Sequence, residues 1–84
     1  MGSAAGVAGF SYRVVFGDVL NNEGLPYRVY GLKGAAFEGG EELFFEEILD
    51  ISVDPLLVYR MAEVFQREQL SLLDFRDAVE DMME

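Results

Sequence analysis

The residues able to do chemistry in this chain are almost all carboxylates. It carries sixteen Asp and Glu against six Lys and Arg, and no His, Cys, Trp or Thr. Without Cys there is no thiolate nucleophile, no disulfide and no thiolate-bound zinc or iron–sulfur site. Without His, Ser–His and Cys–His catalysis and most transition-metal sites are removed. Glu41-Glu42 and Glu46-Glu47 are neighbours in sequence, so an extended backbone sends the two members of each pair to opposite faces. A glycosidase-type acid and base need carboxyls about 5–9 Å apart across a cleft, and so short a domain leaves little room for one.

Asp50, Ser52 and Asp54 have the alternate-residue spacing that opens a calcium loop. The remainder does not fit: Pro55 stands where the loop needs Gly, and Met61 where it needs Glu. Only Lys33 could activate a serine (Ser11, Ser52 or Ser71), and none of the three lies in a nucleophile turn. The glycines form neither a dinucleotide fingerprint nor a Walker loop. The residues therefore assign no catalytic, cofactor-binding or metal-binding site, and the expectation is a non-enzymatic protein without cofactors.

Composition narrows the class further. The chain has 84 residues, enough for one domain, and 51% of them are hydrophobic, too many for a disordered tail. Its net charge of −10 is unevenly placed. Residues 1–37 carry two acids and three bases, whereas residues 38–84 carry fourteen acids and three bases. So acidic a surface argues against direct binding to nucleic acid. No apolar run is long enough to span a membrane, and no signal peptide is evident at Met1–Gly6. The missing cysteines suit a reducing, cytoplasmic setting.

The elements that must position these groups follow from periodicity. Ser11–Leu20 is β-prone and alternates, Asn21-Asn22-Glu23-Gly24 is a turn, and Leu25–Lys33 alternates again, which predicts a β-hairpin. Gly34 and Gly39-Gly40 bracket what reads as a loop holding Ala35, Ala36 and Phe37. Leu43–Ile51 predicts a third strand. The period then changes: Asp54-Pro55 is an N-cap followed by Pro at the first helical position. Leu57, Val58, Met61, Val64 and Phe65 form the apolar stripe of a first helix. Ser71 and Asp74 open a second helix bearing Leu72, Phe75, Val79 and Met82. The expected fold is α+β: a small antiparallel sheet, a hairpin plus a third strand, covered on one face by two C-terminal helices. Residues 1–10 are expected to be a flexible N-terminal segment and 11–84 a single domain. The expected core is Tyr12, Val14, Phe16, Val29, Phe45, Leu49, Ile51, Leu57, Met61, Val64, Phe65, Leu72, Phe75 and Val79.

Several short segments occur in a suggestive order. Tyr27-Arg-Val-Tyr-Gly31, Asp50-Ile-Ser-Val-Asp54, a helix of about fourteen residues, Leu70-Ser-Leu72 and Ala78-Val-Glu-Asp81 follow one another. In this the chain resembles a family of short, uncharacterised clostridial-type bacterial proteins, a domain of unknown function. The resemblance implies a cytoplasmic bacterial protein and supplies no mechanism.

Two surfaces stand out as partner sites. If the alternation holds through the sheet, Tyr30, Leu32, Phe44 and Ile48 point away from the helices and form an exposed apolar face, the kind of patch an interface covers. A homodimer through that face would enlarge a small core. The second surface is acidic: Asp77, Glu80, Asp81 and Glu84 lie on the last helix, where negative charge near the C-terminus opposes the helix dipole. Together they predict a protein that binds a protein partner with a basic surface, in a regulatory or adaptor role. The alternative is a phage-type acidic inhibitor that mimics nucleic acid and blocks a basic groove of a nuclease or other defence protein.

Overall fold

A computed structural model describes residues 8–83 of the chain. Three antiparallel strands, β1 (Gly9–Leu20), β2 (Pro26–Glu38) and β3 (Glu41–Ser52), form a sheet in the order β1-β2-β3. Two helices follow, α1 (Pro55–Glu68) and α2 (Phe75–Met83), the second entered through a 3-10 turn at Leu72–Asp74. Both pack on one face of the meander, giving the expected α+β arrangement.

The turns have local causes. Asn21 Oδ1 accepts from the N–H groups of Glu23 (2.8 Å) and Leu25 (3.0 Å), which closes the first hairpin. The second hairpin turns on Gly39 and Gly40, both with positive φ (61° and 84°), the backbone that a two-residue hairpin turn demands. Asp54 Oδ1 accepts from Leu56 N–H at 3.0 Å and caps α1 ahead of Pro55. Ser71 Oγ accepts from Leu73 N–H at 3.2 Å and opens the 3-10 turn.

Residues 34–38, expected in a loop, continue β2, and β3 begins at Glu41, two residues before the expected Leu43. The small residues here serve packing. A Cβ on Gly34 would meet the Tyr12 ring at 2.6 Å and Leu72 at 2.7 Å, and Ala36 is fully buried under the helices. Glycine in this strand marks a close approach, and the turn comes later. At the other end, β1 starts at Gly9, and Ala8 N–H donates to the Phe37 carbonyl at 2.8 Å. The ordered sheet thus takes in Gly9 and Phe10 from the expected N-terminal segment; residues 1–7 of that segment lie outside the described residues.

Register decides which side chains meet the helices. Tyr12 pairs with Gly34, Val14 with Leu32 and Phe16 with Tyr30, and directly paired residues share a face. The even-numbered residues of β2 therefore lie on the helix side. In β3, Ile48 pairs with Leu32 and Phe44 with Ala36, so these join them. A bulge between Tyr30 and Leu32 then shifts the pairing, and Ile51 is buried in the core. Glycine at 31 permits this: a Cβ there would lie 2.1 Å from the Ile48 carbonyl oxygen.

The core joins Tyr12, Leu32, Ala36 and Ile51 of the sheet to Val58, Met61, Ala62, Phe65, Leu72, Phe75 and Val79 of the helical layer. The Tyr12 ring meets Phe65 and Phe75 edge-on at 5.6 and 5.2 Å, and those two rings meet at 6.2 Å. Each such pair adds about 0.5–1.5 kcal/mol beyond its buried area. Of the expected core, Val14, Leu57 and Val64 pack against this cluster, and Val29 is buried outside it. Phe16, Phe45 and Leu49 are instead exposed.

Candidate functional site

The two outer strands of the sheet end differently. At β1, α1 supplies side chains that behave like the backbone of a fourth strand. Gln66 Oε1 accepts from Tyr12 N–H at 2.8 Å, and its Nε2 donates to the Phe10 carbonyl at 3.2 Å. Gln69 Oε1 accepts from Phe10 N–H at 2.9 Å, and its Nε2 donates to the same carbonyl at 3.0 Å. At Phe10 and Tyr12 these amides satisfy edge groups that would otherwise recruit another strand. Gln69 does this from a left-handed backbone (φ 52°) just past the helix, where Gly is the usual residue.

At β3 no such cover exists among the described residues: beyond the ladder with β2, no helix, loop or side chain bonds the backbone of Glu41–Asp50. The strand is twelve residues long. Leu43, Phe44, Phe45 and Leu49 along it are each about half exposed. Its charges are Glu41, Glu42, Glu46, Glu47 and Asp50, with no base. Long apolar edges are ones that proteins normally blunt, with Lys, Pro or a covering element. The acids keep this edge soluble while leaving its hydrogen-bonding groups open.

The expected apolar interface residues fall on the other side of the sheet from where alternation placed them. Leu32 is fully buried beneath the helices and has no surface to offer a partner. Tyr30 and Ile48 pack against the core. Phe44 shares their face but lies on the outer strand, half exposed. The inversion has a simple cause. In Leu25–Lys33 both faces are apolar, Tyr27 and Val29 on one and Tyr30 and Leu32 on the other, so periodicity cannot choose between them. Pairing to β1 chooses, and a one-residue slip moves every side chain across the sheet.

Of the acidic set, Asp77, Glu80 and Asp81 are exposed on α2, and Glu84 lies outside the described residues. Because α2 begins only at Phe75, Asp77 sits in its first turn, where a negative charge complements the dipole. Glu80 and Asp81 fall toward the other end, where no base stands in the last turn. Arg76 Nη2 donates to Glu46 Oε2 at 2.7 Å and ties the acidic helix to β3.

Among the acids of the described residues, Tyr12 is the one whose ionisation the fold shifts. Burial pushes its phenol up to about 12, with smaller contributions from the negative charges of Asp74 and Glu46. Its hydroxyl donates to the Leu70 carbonyl at 2.5 Å, so it is a structural tie between β1 and the segment linking the helices. Of the calcium-like triplet, Asp54 is occupied as a cap, and Ser52 Oγ accepts from Asp54 N–H at 3.0 Å. Among the described residues no three carboxylates converge as metal ligands would.

Sequence reading missed Gln66 and Gln69. A signal was present: two amides three positions apart share one helix face, and a Gln occupies the place where a helix usually ends on Gly.

No helix among the described residues is long and apolar enough to cross a membrane. The chain matches no family model, no curated protein and no solved structure.

Proposed function

We propose that this protein is a non-enzymatic binding module that takes up an extended segment of a protein partner along β3. One observation carries the reading: of the two outer strands, β1 is capped at Phe10 and Tyr12 by Gln66 and Gln69, whereas β3 carries no such cap among the described residues and is lined with half-exposed Leu43, Phe44, Phe45 and Leu49. Strand addition would satisfy its free backbone groups, with alternate side chains setting specificity. Charge selects the partner. Two copies of β3 would bring together acids with no base on either strand, and like charges across a ladder are destabilising. A segment in which Lys or Arg alternates with apolar residues meets both requirements. The acids of α2, joined to β3 through Arg76–Glu46, extend the same negative field and would speed encounter with such a segment. A regulatory or adaptor role in a bacterial cytoplasm belongs to this reading.

The test is a nuclear magnetic resonance titration with a synthetic peptide of alternating Lys and Val. Expected are saturable shifts, with new protection from hydrogen exchange, at amides of Leu43–Leu49. A Glu/Val peptide should give none. Leu49→Lys changes an exposed residue and blunts the edge, so it should abolish binding with the fold kept. Shifts confined to α2, without protection on β3, would favour the charge-mimic alternative. A dimer in the parent chain that Leu49→Lys breaks would assign the edge to a second copy.

A further inference from the structure

On the sheet face opposite the helices, the ladder sets Arg13 of β1 directly against Lys33 of β2. Like charges facing one another across a strand pair are destabilising. Composition does not force the arrangement, since acids outnumber bases sixteen to six. Lys33 is accommodated from β3: it pairs across the ladder with Glu47, and its Nζ lies 4.3 Å above the centre of the Phe45 ring and 4.0 Å from a Glu42 carboxylate oxygen. Arg13 makes no ion pair among the described residues.

The two cations stand at one end of a shallow cavity of about 280 Å³ lined by Ser11, Arg13, Lys33, Ala35, Phe37 and Glu42. Its shape follows from the register. The next paired positions on this face are Ser11 and Ala35, both small, and beyond them comes Phe37, which pairs with Gly9. Two long cations, a low floor and an aromatic ring thus make a dish. Ser11 and Glu42 complete the lining, with the Glu42 carboxylate beside Lys33.

We infer that this dish is a binding site for a small organic anion, a carboxylate or phosphate monoester carried on a flat apolar body. The oxyanion would lie between Arg13 and Lys33, relieving their repulsion, with charge-assisted bonds from the guanidinium fork. The apolar body would cover Ala35 and rest against Phe37. The Glu42 carboxylate, 4.0 Å from Lys33 Nζ, leaves Arg13 as the unpaired cation and disfavours a second negative group, so a singly anchored anion is preferred over one charged at both ends. The volume suits a ligand smaller than the drug-sized molecules that fill larger pockets. This site takes Glu42 from β3, but its test follows side chains and amides of β1 and β2, so that test and the peptide titration on Leu43–Leu49 can fail independently.

The experiment titrates benzoate and phenyl phosphate into the full chain, with benzamide and benzylamine as controls, following the Arg13 side-chain N–H and the amides of Ser11, Ala35 and Phe37. The expected result is saturable shifts at these positions with one or both anions and none with the neutral or cationic ring. Arg13→Gln and Lys33→Gln should each weaken binding by about tenfold or more. Arg13→Gln should also melt at or above the temperature of the unliganded parent, because it removes a like-charge contact. Saturation by benzamide, undiminished anion binding in both variants, or shifts centred on Arg60, Arg67 or Arg76 would each overturn the assignment.

Discussion

Gln69 bonds both backbone groups of Phe10, accepting from its N–H at 2.9 Å and donating to its carbonyl at 3.0 Å. A side-chain amide here does what the peptide group of a neighbouring strand does. It explains a left-handed Gln where Gly would be unstrained: the conformation costs about 1 kcal/mol, and three side-chain bonds, the third to the Gln66 carbonyl at 2.8 Å, offset it. Gln69→Gly removes the strain and the bonds together. Gln69→Ala removes the bonds and keeps the strain. The expected order of stability in denaturant melts is parent, then Gly, then Ala, with steps of about 1 kcal/mol. A Gly variant more stable than the parent would show that the amide contributes nothing net.

Gln66 closes the adjacent groups of the same edge. Gln66→Ala should cost about 1–2 kcal/mol for two lost bonds. It should also lengthen the uncapped stretch of the β1 edge back to Tyr12. Light scattering should then show self-association that rises with concentration in the variant. An unchanged monomer population would mean that the helix body alone protects β1.

The two strand glycines should respond unequally to alanine. At Gly31 the obstacle is backbone, the Ile48 and Leu49 carbonyl oxygens at 2.1 and 2.4 Å, so the bulge must open. At Gly34 it is the Tyr12 ring and the end of Leu72, and the ring is held by Phe65, Phe75 and its bond to Leu70. Gly34→Ala should cost about 1–3 kcal/mol. Gly31→Ala should cost more, with loss of β2–β3 pairing visible in amide exchange. Equal losses would show that β3 shifts more readily than its bulge implies.

How far the sequence carried the structure depended on whether one signal spoke alone. Asp54-Pro55 and Ser71 cap as expected because a cap is local: the side chain needs only the next two residues. The apolar stripe of α1 is legible because one face only is apolar. The strands were another matter. Val29 and Leu32 are equally good core residues, and the choice between them rests on register with β1, a contact some eighteen positions away. Gly34-Ala35-Ala36 looks like a loop until the bulk of Tyr12 and the helical layer is set above it. The open β3 edge could not be read at all, since an edge is defined by which strand is missing. Arg13 facing Lys33 was equally hidden, because only pairing makes neighbours of them.

Tyr12 gives the fold an alkaline limit. Its folded phenol ionises near 12, above its unfolded value near 10. A group whose folded pKa is raised contributes stability that is fully present below the unfolded value and is lost as pH climbs toward the folded one. Stability should therefore decline between about pH 10 and pH 12. Tyr12→Phe gives up the bond to the Leu70 carbonyl and should be less stable at neutral pH by about 1 kcal/mol or more. It should also lose its share of the alkaline decline, so the parent and variant curves converge as pH rises. Parallel curves would assign the decline to other groups.

The acids of α2 should divide by position. Asp77 lies in the first turn of a nine-residue helix, so it faces the positive end of the dipole. Glu80 and Asp81 lie toward the negative end, with no base in the last turn to balance them. Asp77→Asn should destabilise the isolated protein by about 0.3–1 kcal/mol. Glu80→Gln with Asp81→Asn should stabilise it by a similar amount per charge, and both effects should shrink as salt is raised. If the pair also helps to gather a basic segment onto β3, the stabilised double variant should bind the Lys/Val peptide more slowly at low salt, with the difference fading as ions screen the field. Stopped-flow association rates across a salt series would measure this. A double variant that gains stability at no cost in association rate would leave Glu80 and Asp81 as solvated charges outside the binding surface.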